Sequence, residues 1–220
     1  QKQISMLISA IKRNRVGSSY LFVGQAGIGK KLVAVEFAKM LNCRSGDITK
    51  GSCGECLSCK KIELKTHPDV MIISKEEEKT SIAIDQLREM IKGLQLAPVM
   101  GGYNVRIIDD AHLMQKDAAN CILKILEEPP KNTVIILLTP VPGSLPLTII
   151  SRCAVIYFSV VTYDEIIRRI KEYNLPPDET EFVASVAMGS LGKAVEMAKD
   201  TEIISEYKNI ITDFKDGKFT

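Results

Sequence analysis

The chain has 220 residues, 45% of them hydrophobic, which suits one large domain, or one domain with a small companion, and excludes a disordered segment. Its 29 basic and 27 acidic residues leave a net charge of +2, so bulk charge argues for neither nucleic acid nor membrane, and any DNA contact has to come from local placement. No run of eighteen apolar residues exists, and Gln1 to Leu7 lack the apolar core and cleavage site of a signal peptide, so the expected location is the cytoplasm, without a membrane partner. The glutamine at the start and the sequence Lys215 to Thr220 at the end lead us to expect a longer parent chain.

In chain order, Ile4, Leu7, Ile8 and Ile11 have a helical period and predict a helix within residues 1–15 that covers one side of the first strand. Leu21-Phe22-Val23 then runs into Gly24-Gln25-Ala26-Gly27-Ile28-Gly29-Lys30-Lys31 and the helical pattern Leu32 to Leu41, which reads as strand, phosphate loop, helix. Gly24 and Gly29-Lys30 have the Walker A spacing, with Gly27 a further candidate contact between them; in such a loop backbone N–H groups close around a triphosphate and the lysine reaches its outer phosphates. The loop should end in Ser or Thr, whose hydroxyl binds Mg²⁺. Here it ends in Lys31, a cation with donors only. The plainer alternative is a glycine-rich turn that never meets a nucleotide.

Residues 43–59 are polar and glycine-bearing, an excursion from the core. Cys53, Cys56 and Cys59 stand at two-residue intervals, with Cys43 nine intervening residues earlier. In a reducing compartment this pattern predicts a closed, structural Cys₄ zinc site, against the alternative of free thiols on a flexible loop. Cys121 falls on a core helical face, and neither it nor Cys153 has zinc spacing.

Beyond the cysteines, Asp69 to Ile73 predicts a buried strand, and Ile82, Leu87, Met90, Ile91 and Leu94 a helix. Val105 to Asp110 is a strand ending in acids. Asp109 and Asp110 occupy the Walker B position, where the first acid holds Mg²⁺ through water and the second polarises the attacking water. Two acids merely ending a strand is the alternative. Asp117 to Glu128 predicts a helix stopped by Pro129-Pro130, followed by strands at Thr133 to Leu138 and Ala154 to Phe158. Thr139, at a strand end, is a candidate sensor of phosphate. Ser151-Arg152-Cys153 follows an apolar turn; taken alone, an arginine at a strand edge is a surface or salt-bridged residue.

Strands alternating with helices imply an α/β fold with a mainly parallel sheet and ligands beyond the carboxyl ends of its strands. From Tyr163 onward the strand pattern ceases. Helical segments at Asp164 to Tyr173, Asp178 to Met188 and Ser190 to Phe214, the last with breaks, predict a small all-helical domain. The expected domains are 1–161, with the zinc module near 43–59, and 162–220.

Together these residues resemble the clamp-loader branch of the AAA+ ATPases. The resemblance rests on Gly24 to Lys31, the four-cysteine module, Thr66-His67-Pro68-Asp69, Ile108 to His112, Ala118 to Pro130 and Ser151-Arg152-Cys153. It implies an AAA+ P-loop fold with a helical lid, and a subunit that helps an ATP-driven ring load the sliding clamp onto primer-template DNA during replication. In that family the Ser-Arg-Cys triplet supplies an arginine finger to ATP on the neighbouring subunit, which the resemblance carries to Arg152.

Two departures mark the delta-prime type of subunit. Lys31 replaces the metal-binding hydroxyl, and Gly192, in Gly189-Ser190-Leu191-Gly192, replaces the lid arginine. The expected partners are the delta and gamma/tau subunits, with ATP and Mg²⁺ at a neighbour's site, weak or absent here, and no independent ATPase. A third, helical collar domain is expected in the family but absent from this chain. The competing reading is a gamma/tau-like motor subunit, which Lys30, Asp109 and Thr139 support and Lys31 and Gly192 oppose. A zinc-dependent DNA-binding module is a third reading, unsupported by clustered basic or stacking aromatic residues.

Overall fold

The computed structural model describes residues 2–45, 47–49 and 51–215; Gly46 and Lys50 of the cysteine loop, and residues 216–220 of the expected lid segment, lie outside them. The chain forms two compact units, one of Gln1–Gly24 with Lys30–Phe158, the other of Gln25–Gly29 with Ser159–Thr220.

In the first unit, α1 (Lys2–Lys12), β1 (Ser19–Val23) and α2 (Lys30–Asn42) are followed by α3 (Leu57–Glu63) and β2 (Val70–Ile73). Then come α4 (Ile84–Leu94), β3 (Asn104–Ile108), α5 (Lys116–Glu127), β4 (Thr133–Thr139), α6 (Leu147–Ile150) and β5 (Ala154–Tyr157). The strands form one sheet in the order β2-β3-β4-β1-β5, and every pairing is parallel. Every residue of β1, β3 and β4 is buried, because helices cover both faces, and this is why these strands read as unbroken apolar runs.

Alternate residues of one strand serve opposite faces. Ile135 and Leu137 of β4 join α4 and α5 residues such as Leu87, Met90 and Ile122. Val134, Ile136 and Leu138 join Leu7 of α1 and Phe37 of α2 on the other face.

Two local expectations change. The cysteine excursion is not wholly irregular: α3 starts inside it, with the Cys56 sulfur capping the Cys59 N–H, and Cys59 and Ile62 are buried. Ile82 is not helical. It forms an isolated parallel bridge with Met114, and α4 starts two residues later, where Gln86 Oε1 accepts from Ala83 N–H.

The second unit is all helix in its later part: α7 (Tyr163–Ile170), α8 (Pro177–Val186), α9 (Leu191–Lys199) and α10 (Thr201–Lys215). Thr162 and Glu165 close a capping box at the start of α7. Ile166, Ile170, Val183, Ala194, Met197 and Ile204 share its core. The long pattern expected from Ser190 breaks at Asp200, whose carboxylate accepts from Glu202 N–H and starts α10 afresh.

Candidate functional site

Because the sheet is parallel, the loops after β1, β3 and β4 emerge at one end of it. There the Lys30 Nζ donates to the Gly24 carbonyl at 2.6 Å. Burial pulls the Lys30 ammonium below its usual range, and Asp110 and Asp109 oppose that pull. Lys31 Nζ stands 2.9 Å from Asp109 Oδ2. The Asp109 carboxylate is therefore paired with the chain's own lysine. Asp110 adopts a left-handed conformation, φ 51°, and its N–H donates to Asp109 Oδ1 at 3.2 Å. The Thr139 hydroxyl is satisfied within its own turn, donating to the Val141 carbonyl at 3.0 Å and accepting from Val141 N–H at 3.2 Å.

Gly27 and Gly29 have φ of 72° and 100°, which a glycine adopts without penalty. Within the second unit, Gly192 N–H donates to the Gly27 carbonyl at 2.8 Å. A Cβ at residue 192 would lie 2.8 Å from that same oxygen, so an arginine is not accommodated there without a shift of backbone.

Arg152 lies at the opposite end of the sheet. In the β1–β5 register Tyr20 faces Ala154 and Val23 faces Tyr157, so Arg152 precedes the start of β5, whereas Gly24 follows the end of β1. Six strand positions separate the two levels, on the order of 20 Å at strand rise. The Arg152 Nη1 donates to the Thr148 carbonyl at 2.8 Å, and Nη2 lies 2.6 Å from Glu127 Oε1. Next to it Cys153 packs against the core, and burial pushes its thiol up to about 11, so it serves as an uncharged anchor.

The sulfur atoms of Cys43, Cys53, Cys56 and Cys59 lie within 4.8 Å of one another, and none is in a disulfide. A tetrahedral zinc with four sulfurs places them about 3.8 Å apart, so the set fits a metal such as zinc with slight contraction. Backbone amides already point at the sulfurs: Cys53 N–H to Cys43 at 3.5 Å, Cys56 N–H to Cys53 at 3.4 Å, and Cys59 N–H to Cys56 at 3.5 Å. Such donors favour thiolate. At Cys43 burial pushes up, but bonds from Ser45 and Cys53 outweigh it and bring the thiol down to about 6. Burial raises Cys59.

The motif Thr66-His67-Pro68-Asp69 has a structural role that sequence reading left unassigned. His67 is buried, its Nδ1 accepting from Asp69 N–H at 3.1 Å and its Nε2 lying 2.8 Å from Ser58 Oγ on α3. A backbone amide can only donate, so the ring is neutral with its proton on Nε2, given to Ser58. The Asp69 carboxylate accepts from Val99 N–H at 2.7 Å and Met100 N–H at 2.8 Å. His67 and Asp69 thus tie α3, and with it Cys59, to the start of β2 and the approach to β3.

Fold and site together define an AAA+ P-loop module. A gamma subunit-related DNA polymerase III protein from Thermotoga maritima shares the fold, with a TM-score of 0.59 at 21% identity over 88% of this chain and 57% of that one. Residues 1–162 match the family described as DNA polymerase III, delta subunit, and the chain belongs to that family, within the clamp-loader branch of AAA+ proteins. It is 34% identical over 200 residues to DNA polymerase III subunit tau/gamma of Haemophilus influenzae, covering 88% of this chain and 28% of the relative. To subunit delta' of Pseudomonas aeruginosa it is 38% identical over 135 residues, covering 61% and 41%. The chain thus spans less than half the length of these two relatives.

Proposed function

We propose that this chain is a delta-prime-like clamp-loader subunit of a DNA polymerase III complex, giving Arg152 in trans to ATP on a neighbouring subunit while its own Walker site does not support Mg-ATP hydrolysis. The observation that carries the reading is the separation of Arg152 from Gly24, on the order of 20 Å along the sheet, more than an arginine side chain spans. A finger there has to serve another subunit. The Lys31–Asp109 pair supports the second half, since it occupies the acid that an active site offers to Mg²⁺.

On this reading residues 1–161 are the nucleotide-binding-type domain and 162–220 the lid, and zinc held by Cys43, Cys53, Cys56 and Cys59 is structural. The partners are delta and gamma/tau subunits, with the sliding clamp and primer-template DNA engaged through the ring, in the cytoplasm. A planar guanidinium can present paired donors to the terminal phosphate where transition-state charge develops.

The test is the DNA- and clamp-stimulated ATPase of a reconstituted loader carrying Arg152→Ala, with assembly checked by gel filtration. A fall of at least tenfold is expected, since fingers in GTPases contribute about 10³–10⁵. An assembled ring with an unchanged rate makes Arg152 a surface arginine. The tau/gamma likeness over 88% of the chain favours a second reading, a motor subunit. Micromolar Mg-ATP binding with steady turnover by this chain alone would establish it.

A further inference from the structure

The carboxylate facing Arg152 sits where a helix least favours one. Glu127 is the last residue of α5, and the carboxyl end of a helix carries partial negative charge that stabilises cations and opposes anions. Pro129-Pro130 prevents the helix from continuing, so the turn that carries Glu127 stays in one place. Its side chain is half-exposed, and its oxygen lies 2.6 Å from Arg152 Nη2.

We propose that Glu127 is a positioning residue for Arg152: it holds the guanidinium in one orientation, ready for a phosphate supplied by a neighbouring subunit. The inference rests on the trans-finger reading above. Three contacts on the chain's own side fix the fork. Glu127 takes Nη2, the Thr148 carbonyl takes Nη1 at 2.8 Å, and Ser151 Oγ stands 3.4 Å from Nη1. Cys153, packed on the core, fixes the backbone beside it.

A guanidinium has five N–H donors in a rigid plane, so anchoring one edge aims the remaining donors without using them up. The arginine side chain is 35% exposed, and an anion from outside can reach it. Without the carboxylate the long side chain would sample many rotamers, and the neighbour's site would have to select one of them. A misplacement of about 1 Å is enough to cost about a hundredfold in rate.

The experiment pairs Glu127→Gln with Arg152→Ala in the reconstituted loader. Glu127→Gln should lower the stimulated kcat about tenfold, leave the nucleotide KM within about twofold, and cost nothing further in the Arg152→Ala background, because the two residues act as a unit. In the chain by itself, ¹⁵N signals of the Arg152 guanidinium should show slow rotation in the wild type and fast rotation in Glu127→Gln, at an unchanged thermal midpoint. A wild-type rate for Glu127→Gln, an equal loss in the Arg152→Ala background, or unchanged guanidinium rotation each overturns the proposal. If Arg152→Ala itself has no effect, the finger reading falls instead, and the guanidinium spectrum still decides whether Glu127 holds the arginine.

Discussion

The two ends of the sheet solve opposite problems with similar means. At the carboxyl end, Lys31 and Asp109 satisfy each other, Lys30 reaches the Gly24 carbonyl, and Thr139 closes its own turn. The Lys31, Asp109, Lys30 and Thr139 side chains each have a partner within the chain. At the amino end, the cysteine sulfurs converge without a disulfide and Arg152 is held on one edge with its side chain partly open to solvent. On the proposed reading, one end is closed on itself and the other is prepared for something from outside the chain. A charge pair therefore says little about function until the unused donors and acceptors around it have been counted.

The largest effect that can break this contrast comes from the cysteines. If the amino end depends on a metal, Cys53→Ser together with Cys56→Ser should abolish stoichiometric zinc and unfold residues 43–59, because such sites contribute roughly 10–16 kcal/mol in apparent terms. Metal analysis and hydrogen exchange over α3 check this; a zinc-free chain that keeps α3 protected would leave the amino end self-sufficient. Next in size is Lys31→Thr. Replacing the tethered ammonium with a hydroxyl frees Asp109 and should raise Mg²⁺-dependent nucleotide affinity at least tenfold, or about 1.4 kcal/mol, by calorimetry. No gain would mean that the closed end is closed for another reason, with Gly192 the first suspect. The stability change should be small, since the Lys31 side chain is half-exposed.

The smallest effect is that of His67. Burial holds its imidazole below the ordinary histidine range, with Asp69 acting against that and Lys61 and Arg44 adding to it. The folded state thus binds its proton less readily than the unfolded one. The contribution is complete above about pH 6.5 and is lost as pH falls from there toward the lowered folded value. Urea denaturation of the wild type and His67→Gln between about pH 5.5 and 7.5 should show a steeper acid loss in the wild type; parallel curves would remove His67 from the amino-end network.

The sheet was legible because β1, β3 and β4 are buried on both faces, so their apolar runs needed no alternation to be recognised. The four cysteines were legible from spacing alone. Helix α3 was not, because Leu57-Ser58-Cys59-Lys60-Lys61 shows no apolar stripe and its order comes from sulfur capping and from Ser58 on His67. The Lys31–Asp109 pair was hidden for a different reason: Lys31 lies in the first turn of α2 and Asp109 just after β3, and the two meet only once β1, β4 and β3 are side by side. Likewise the opposition of Arg152 and the Walker loop is a fact of register, and Glu127 left as its only trace two acids where a helix ends.

The strand order also bears on how the chain is made. Ser19 to Val23 of β1 leave the ribosome well before their partners: among the described residues β1 pairs with β4 and β5, through Ile135 to Thr139 and Ala154 to Tyr157. This strand therefore waits, unpaired, for most of the first unit to be synthesised. Parallel pairings of such sequence separation form slowly and leave strand edges exposed meanwhile. The cysteine loop, whose ligands lie within seventeen residues of chain, has no such delay. If a metal orders that loop, the nascent chain gains a local structure beside the start of β2 long before its sheet can close, and a defect there would show first as poor yield of soluble chain during synthesis.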